Sequence, residues 1–425
     1  MHQPNPNPSP SPADDTLDLL ALLCAPGLGP VLISRLLQHF SSPTAVLKAE
    51  AAALAAVKGI GPQRAASIAR NRAANLQAAK DEARRAADAG VTLLPIHSPL
   101  YPPLLATIAD PPPILYVRGE LRPLDADRYP IALVGSRACS AYGREQAERF
   151  AGQLASAGIT VISGGARGID SAAHLAAMRC AGRTIAVLGC GLQHIYPREN
   201  AELFDQIAQP AAARGAIVSE LPMATAPTAE NFPARNRIIS GLALGTLVIE
   251  AGKGSGSLIT ARLAAEDHGR EVFAVPGRVD SAASEGTHEL IKSGGAALVT
   301  SPADVIAGLE SAARHLHAGS HAARFGPPPP QDLFSAAALT ALAADNSAPQ
   351  GPNTPPAHLT PTQAQIYTAL QDQATFDDLV LGTNLSPSQL RSDLTLLELQ
   401  RIVIRRGSAY ARRPATPPSS SSKRP

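Results

Sequence analysis

Cysteine and aromatic residues are scarce in this sequence of 425 residues. The four cysteines, Cys24, Cys139, Cys180 and Cys190, include no C-x-x-C pair. This spacing argues against a zinc ribbon or a disulfide scaffold and is typical of a reducing cytosol. Aromatic residues make up 4% of the chain and tryptophan is absent. A hydrophobic core must therefore be built from Ala, Leu, Ile and Val.

Net charge and long apolar runs are also lacking. Because the formal net charge is only +2, any affinity for nucleic acid must come from local clusters of Lys and Arg. The uncharged stretch 19–34 is too short, and too interrupted by Pro and Gly, to span a bilayer. The first residues lack the basic start and apolar run of a secretory signal. The sequence therefore predicts a soluble, cytoplasmic protein without membrane insertion.

Shifts in composition divide the chain into several segments. At about 150 residues per domain, its length predicts two to four structured units. The predicted segments are a disordered tail (1–13), a helical domain (14–89), an α/β domain (90–310), a linker (311–356), a compact domain (357–413) and a second disordered tail (414–425).

The α/β segment has a regular order of apolar runs. The predicted strands are 129–135, 159–165, 183–189, 216–220, 245–250 and 270–277. Helix-length runs lie between most of them, which predicts right-handed βαβ crossovers. The predicted fold is α/β, an extended Rossmann-like, doubly wound and mostly parallel sheet covered on both faces. In such sheets ligands bind at the carboxyl ends of the strands.

Three glycine-rich turns follow predicted strands. They are Gly135-Ser136-Arg137, the segment 163–170 with Gly164, Gly165 and Arg167, and the segment 250–257 with Lys253, Gly254 and Ser255. Glycine lets the backbone approach an anion, and free N–H groups at a helix start carry partial positive charge. These turns predict a phosphate-binding groove. A P-loop is not matched, because Leu247 and Gly254 stand where that motif needs Gly and Ser or Thr.

A fourth segment, 231–240, brings cations and an aromatic ring to a strand end. It contains Phe232, Arg235, Asn236 and Arg237, and the run after the third predicted strand adds Tyr196 and Arg198. Stacking of an unpaired base on an aromatic ring contributes about 1–3 kcal/mol and tolerates any base. The sequence therefore predicts a tract for single-stranded nucleic acid. An alternative stays open, in which the two arginines of 231–240 are solvated residues at a helix start or partners of Glu220 and Glu250, and Phe232 belongs to the core.

Catalysis would need a base or nucleophile beside an acid at this edge, and the sequence offers only isolated candidates. Asp170 is interpreted as a helix N-cap, His174 as a packing residue and Glu250 as a support for its loop. We therefore predict no catalytic residue, no metal site and no cofactor.

The order of these motifs resembles the DNA-processing protein A family, called DprA or Smf. GSR, SGGARGID, AVLGCGL, FPARNRIISGL, VIEAGKGSGSLITA and VFAVPG occur in the family's order within about 90–310. The resemblance implies a Rossmann-like domain that binds single-stranded DNA, forms homodimers and delivers the recombinase RecA onto incoming DNA in natural transformation. A single-strand DNA-binding protein is a further candidate partner. The implied DNA contacts are Gly135, Ser136, Arg137, Gly164, Gly165, Arg167, Arg198, Phe232, Arg235, Asn236, Arg237, Lys253, Gly254 and Ser255.

The flanking segments carry two further motifs. Residues 57–68 match the helix–hairpin–helix pattern h-G-h-G-x-x-x-A, with a looser copy at 25–30, and Gly59, Gly61 and Arg64 are candidate phosphate contacts. Residues 357–413 resemble a winged helix, in which Arg391, Arg405 and Arg406 are candidate contacts with the DNA backbone. For both segments a role in packing or protein contacts is an open alternative.

Two other functions stay open. The sheet also resembles that of nucleotide phosphoribohydrolases, but Thr260 stands in the stretch where their catalytic Glu is expected. A regulator that binds duplex DNA through the winged helix is the second alternative.

Overall fold

The computed structural model describes residues 12–317, 359–370, 374–383, 385–386, 389–390, 393–394, 396–397, 402–406 and 409–412. The chain divides into two compact units between Val305 and Ile306. Residues 1–11 of the first predicted tail, the second predicted tail (414–425) and most of the predicted linker lie outside the described residues. The prediction of disorder is wrong for Pro12 and Ala13, which belong to the first helix. Where the linker is described, it is helical, because a helix that begins at Pro302 continues to His317. None of the described helices combines the length and the apolar character needed to cross a membrane.

Helices α1 to α6 form a helical region at the start of the first unit. They are α1 (Pro12–Leu23), α2 (Pro30–Phe40), α3 (Pro43–Lys48), α4 (Ala51–Ala55), α5 (Gly61–Arg70) and α6 (Arg72–Asp88). Proline at the first position begins α2 and α3, where its fixed φ suits the helix and its missing N–H is not needed. Gly27 and Gly59 adopt φ of 76° and 93° in the hairpins before α2 and α5, a conformation that glycine allows. The result is a tandem of helix–hairpin–helix units, as predicted.

A mixed sheet follows, with nine strands among the described residues. The strands are β1 (Thr92–Pro95), β2 (Ile114–Gly119), β3 (Pro130–Val134), β4 (Thr160–Ser163), β5 (Thr184–Val187), β6 (Gly215–Ser219), β7 (Gly245–Val248), β8 (Glu271–Ala274) and β9 (Ala297–Leu298). Their order across the sheet is β1-β2-β6-β5-β4-β3-β7-β8-β9. The pairs from β6 to β9 in that order are parallel, whereas β1–β2 and β2–β6 are antiparallel. The prediction of a mostly parallel, doubly wound sheet is confirmed.

Helices connect these strands and cover the sheet. They are α7 (Pro103–Ala106), α8 (Ala141–Ser156), α9 (Ile169–Arg179), α10 (Ala201–Ala208), α11 (Asn231–Gly241), α12 (Gly256–Arg262) and α13 (Glu285–Lys292). Helix α14 (Pro302–His317) follows β9. Every residue of β3, β4 and β5 is buried, which explains why these strands are continuous apolar runs rather than alternating ones. The helical region shares a buried core with one part of the sheet, in which Leu19 and Ile68 lie in the same cluster as Tyr116 and Phe204.

The strand order creates a topological switch point at β3. From β3 the chain moves outward through β4 and β5 to β6, and then returns to the other side of β3 to form β7. The turns after β3 and β7 therefore diverge around a crevice at the carboxyl edge of the sheet. This crevice positions the candidate site.

The second unit has a winged-helix arrangement in the residues that are described. Its elements are α15 (Pro361–Ala369), β10 (Ala374–Thr375), α16 (Phe376–Thr383), β11 (Val403–Arg406) and β12 (Ala409–Arg412). The strands form an antiparallel sheet in the order β10-β12-β11, and the core contains Ile366, Leu379 and Leu394. Thr360 and Gln363 form a capping box that begins α15. The predicted winged helix is confirmed.

Candidate nucleic-acid interface

A cleft of about 670 Å³ opens at the switch point. The turns after β3 and β4, the beginning of α11 and the beginning of α12 line it; its wall includes Gly135, Ser136, Arg137, Ala166, Asp170, Tyr196, Phe232, Arg235, Asn236, Ser255 and Thr260. Together with the loop after β5, which carries Tyr196, five segments that are far apart in the sequence thus meet at one place. Doubly wound sheets bind their ligands at this position.

The turn after β3 is held rigidly by its neighbours. The Ser136 amide donates to the Glu250 carbonyl at 2.8 Å, and the Ile169 amide donates to the Ser136 carbonyl at 3.2 Å. A Cβ on Gly135 would lie 2.5 Å from Ile169 Cγ1 and 2.9 Å from the Glu250 carbonyl oxygen, so no side chain fits there. The turn therefore presents Arg137, which is exposed, from a fixed backbone.

Glu250 supports the same turn, as the sequence predicts. Its carboxylate is buried and accepts from the Ser140 amide at 2.8 Å and from the Ser140 hydroxyl. A Cβ on Gly143 would lie 2.7 Å from the Glu250 carboxylate, so the first turn of α8 packs directly against it. The hydrogen bonds of Glu250 thus fix the loop between β3 and α8.

An aromatic cluster, formed by Phe232, Tyr196 and Arg137, lies in the wall of the cleft. The centroids of the Phe232 and Tyr196 rings lie 5.4 Å apart. Arg137 Cζ lies 5.2 Å from the centroid of the Phe232 ring, within cation–π range. Tyr196 is 39% exposed. The sequence signal for Tyr196 is the Tyr-Pro-Arg run after β5, although Tyr196 is not among the DNA contacts that the family resemblance implies. The cluster combines flat apolar surfaces with a cation, as base stacking next to a phosphate requires.

Three cations near the cleft are exposed and lack a carboxylate partner within 4.0 Å among the described residues: Arg137, Arg198 and Lys253. Arg198 and Lys253 lie on the turns that also carry Tyr196 and Ser255. Arg167 is exposed as well, but pairs with the exposed Glu199 at 2.5 Å. Exposed ion pairs contribute about 0–1 kcal/mol, so this arginine can exchange its partner for a phosphate at little cost.

Arg235 lies at the floor of the cleft rather than on its surface. It is 5% exposed and donates to the carbonyl of Gly164 at 2.7 Å and to that of Val187. Its Nε has no hydrogen-bond partner among the residues that the structure describes, and burial lowers the pKa of its guanidinium to about 10. A Cβ on Gly164 would lie 2.8 Å from Arg235 Nη2 and 2.7 Å from Asp170 Oδ2. Arg235 therefore ties the ends of β4 and β5 together at the floor of the cleft.

Arg237 lies outside the wall of the cleft. Its side chain is 13% exposed and pairs with Glu220 at 2.5 Å and with Asp110 at 2.9 Å. Burial raises the pKa of Glu220, and Arg237 opposes that rise. The pairing with Glu220 matches the open alternative of the sequence analysis. The neighbouring Asn236 does reach the cleft, where its Nδ2 donates to the Gly256 carbonyl at 3.3 Å.

Asp170 and His174 serve the fold. Gly168 is the N-cap of α9, so the N-cap interpretation of Asp170 is wrong; its carboxylate accepts from the Ala166 amide at 3.2 Å and closes the preceding turn. His174 is fully buried and shares a hydrogen bond of 2.6 Å with the Thr184 hydroxyl. Burial lowers the pKa of His174 to about 3, so it is neutral at physiological pH. In the described ranges, no group of three or more His, Cys, Asp or Glu residues is placed to hold a metal ion.

The accessory candidates in the flanking modules have different surroundings. Gly59 and Gly61 adopt the positive φ of the hairpin, and Arg64 donates to the Gly59 carbonyl at 2.6 Å. A Cβ on Gly27 would lie 3.3 Å from Arg64 Nε, so Arg64 also lies against the other hairpin. In the winged helix, Arg405 and Arg406 lie in β11, and Arg391 lies outside the described residues.

Comparison with known proteins identifies the family. Three sequence-family models match the chain. The family of DNA recombination-mediator protein A matches residues 92–310, the SAM-like helix-hairpin-helix tandem matches residues 19–70, and the DprA winged helix domain matches residues 350–407. Protein Smf of Synechocystis sp. is 36% identical over 91% of this chain and 96% of its own length. The chain belongs to the DprA/Smf family. The resemblance seen in the sequence is thereby confirmed, and the chain is placed among DNA-processing proteins.

Other DprA/Smf proteins match from about half to two thirds of this chain. Protein Smf of Escherichia coli is 50% identical over 51% of this chain, and the match spans 56% of that protein's length. DNA processing protein DprA of Bacillus subtilis is 42% identical over 49% of this chain and 68% of its own length. The X-ray structure of DNA processing protein A from Streptococcus pneumoniae has a TM-score of 0.60 and 34% identity, and covers 69% of this chain and 97% of its own.

Proposed function

We propose that this protein binds single-stranded DNA in the cleft at the switch point and mediates its recombination. The aromatic cluster is the observation that carries the proposal. Phe232 and Tyr196 offer surfaces on which unpaired bases can stack, and the exposed Arg137 beside them can bind a phosphate. A duplex keeps its bases stacked on each other, so a site built this way favours single strands.

The cations around the cleft supply the attraction for the phosphate chain. Arg198 and Lys253 are exposed and unpaired among the described residues, and Arg167 is held only by an exposed ion pair. The glycine-rich turns at Gly164–Gly165 and Gly254–Ser255 lie at the same edge, where the amide of the exposed Gly254 can donate to a phosphate. Because neither stacking nor phosphate pairing reads a base edge, binding is expected to be independent of sequence and to weaken as salt rises.

We further propose that the protein acts as a cytoplasmic homodimer that delivers RecA onto the bound strand, with a single-strand DNA-binding protein as a competing or cooperating partner. Family membership supports these points. RecA filament assembly on strands coated with single-strand DNA-binding protein tests them, and the proposal expects faster assembly when this protein is added.

We propose a binding role rather than an enzymatic one. The carboxylates nearest the cleft are engaged by the backbone, Glu250 at Ser140 and Asp170 at Ala166, and Thr260 faces the cleft where the phosphoribohydrolase motif needs Glu. Incubation with nucleoside monophosphates should release no base. Release of base would support the enzymatic alternative instead.

The direct test compares an oligo-dT with a duplex of equal length at about 50 mM and about 200 mM salt. The proposal expects tighter binding to the single strand and a loss of affinity as salt rises. Tighter binding to the duplex would favour the regulator that acts through its winged helix, and absence of binding to both would reject the cleft as a DNA site.

A further inference from the structure

Glu82 joins the helical region to the sheet. It lies on α6, is 5% exposed, and its carboxylate accepts from the Met223 amide at 2.6 Å. Arg85 pairs with its second oxygen at 2.5 Å. Since Met223 follows β6, one buried carboxylate fixes α6 to the loop at the end of this strand.

Met223 extends this connection to the loop after β5. Its carbonyl accepts from the Gln193 amide at 3.1 Å. Two more hydrogen bonds join the loops after β5 and β6, from the Gly191 amide to the Thr225 carbonyl (2.9 Å) and from His194 Nε2 to the Ala224 carbonyl (3.0 Å). A Cβ on Gly191 would lie 2.2 Å from the Met223 carbonyl oxygen, so the two loops lie backbone against backbone.

Both loops lead into the aromatic cluster. The loop after β5 carries Tyr196, and the loop after β6 runs into α11, which begins at Asn231 and carries Phe232. The ring separation of 5.4 Å is therefore set by the relative position of these loops. Errors of about 1 Å in such an arrangement have large effects on function.

We propose that Glu82 is a positioning residue for the cleft. Through Met223, α6 holds the two loops from behind, so the helical region sets the spacing of Tyr196 and Phe232 without contacting DNA. The inference rests on the proposed binding of single-stranded DNA in the cleft. It gives the helical region a role in DNA binding that does not depend on its hairpins.

Three variants of the full chain test this role. Glu82→Leu removes the acceptor for the Met223 amide, whereas Glu82→Gln keeps an acceptor oxygen on a side chain of the same length. Leu54→Ala opens a cavity in the helical region, at a fully buried residue of α4. Affinity for an oligo-dT is measured at two salt concentrations, well below the unfolding temperature of each variant.

We expect Glu82→Leu to weaken binding roughly threefold to thirtyfold, with an unchanged dependence on salt because no phosphate contact is lost. Glu82→Gln should regain most of this loss, and Leu54→Ala should bind like the wild type. Wild-type affinity in Glu82→Leu, or an equal loss in Leu54→Ala, would overturn the proposal.

A second measurement does not need DNA. Tyr196→Trp introduces the sole tryptophan of the chain, and acrylamide quenching reports how firmly its loop is held. Quenching should increase when Glu82→Leu is added to this variant, and unchanged quenching would refute the positioning role. If the wild type fails to bind oligo-dT, the function proposed for the cleft is rejected, and the quenching still decides the role of Glu82.

Discussion

Two arginines from the motifs at the switch point have opposite surroundings. Arg137 is exposed, lacks a carboxylate partner in the part of the chain that the structure describes and lies beside an aromatic ring, whereas Arg237 is enclosed between Glu220 and Asp110. Both lie in motifs that predict contact with a phosphate chain. Their difference shows that an arginine in such a motif can either contact the ligand or stabilise the protein around the cleft. Which of the two roles it has depends on the carboxylates that distant segments place beside it.

The largest effect should follow from removing the enclosed arginine. Arg237→Ala leaves Glu220 buried without its cation, which typically costs about 3–5 kcal/mol of folding stability. Chemical unfolding measures this loss, and Arg237→Lys should retain part of the stability. Because loss of the cation raises the pKa of Glu220 further, the deficit should shrink as the pH is lowered and the carboxyl becomes protonated. Wild-type stability in Arg237→Ala would show that Arg237, like the exposed Arg137, is not needed for the stability of the fold.

The aromatic side of the comparison is tested next. Tyr196→Ala should weaken binding of an oligo-dT by about 1–3 kcal/mol, the contribution of one stacked base. Tyr196→Phe retains the ring and is the matched control. The idea that bases stack here fails if both variants bind equally well.

Loss of the exposed cation should have a smaller effect on binding. Arg137→Ala should weaken oligo-dT binding about tenfold and reduce the salt slope by about 1. Its stability should stay within about 0.5 kcal/mol of the wild type. Arg179→Ala, an exposed arginine paired loosely with Glu148, is the control and should leave binding unchanged.

His174 extends the comparison to pH. Its pKa is about 3 in the folded protein and about 6.5 when unfolded, so the unfolded state binds a proton first and stability is lost as pH falls below about 6.5. The loss should amount to about 1 kcal/mol between pH 6.5 and 5.5 and be smaller in His174→Gln. His97→Gln, at an exposed position, should keep the wild-type profile.

The smallest effect concerns Arg167, which is exposed like Arg137 but paired with a carboxylate like Arg237. Glu199→Gln removes the exposed partner of Arg167 and should strengthen oligo-dT binding about twofold, because exposed pairs contribute about 0–1 kcal/mol. Anisotropy titrations at low salt resolve such a change. Weaker binding in this variant would show that Glu199 orients Arg167 instead of competing with the phosphate.

The sequence predicted the six central strands because each is a buried apolar run between helices. It missed β1, β2 and β9. Strand β9 has only two residues, and β1, which ends in Pro95, pairs with β2 at the antiparallel side of the sheet. It placed the turns with Arg137 and Ser255 together, because parallel strands end at one edge. It could not find the pairing of Arg237 with Asp110, which precedes β2 and depends on tertiary packing.

The return of the chain to β3 has a consequence for synthesis on the ribosome. One edge of β3 pairs with β4 soon after it emerges, but its other edge waits for β7, which ends 114 residues after Val134 at Val248. At translation rates of about 5–20 residues per second, this delay is on the order of ten seconds. During that interval a fully apolar strand has an open edge, which is a template for aggregation. Nascent chains that stop short of β7 should therefore be captured by chaperones more readily than chains that extend beyond it.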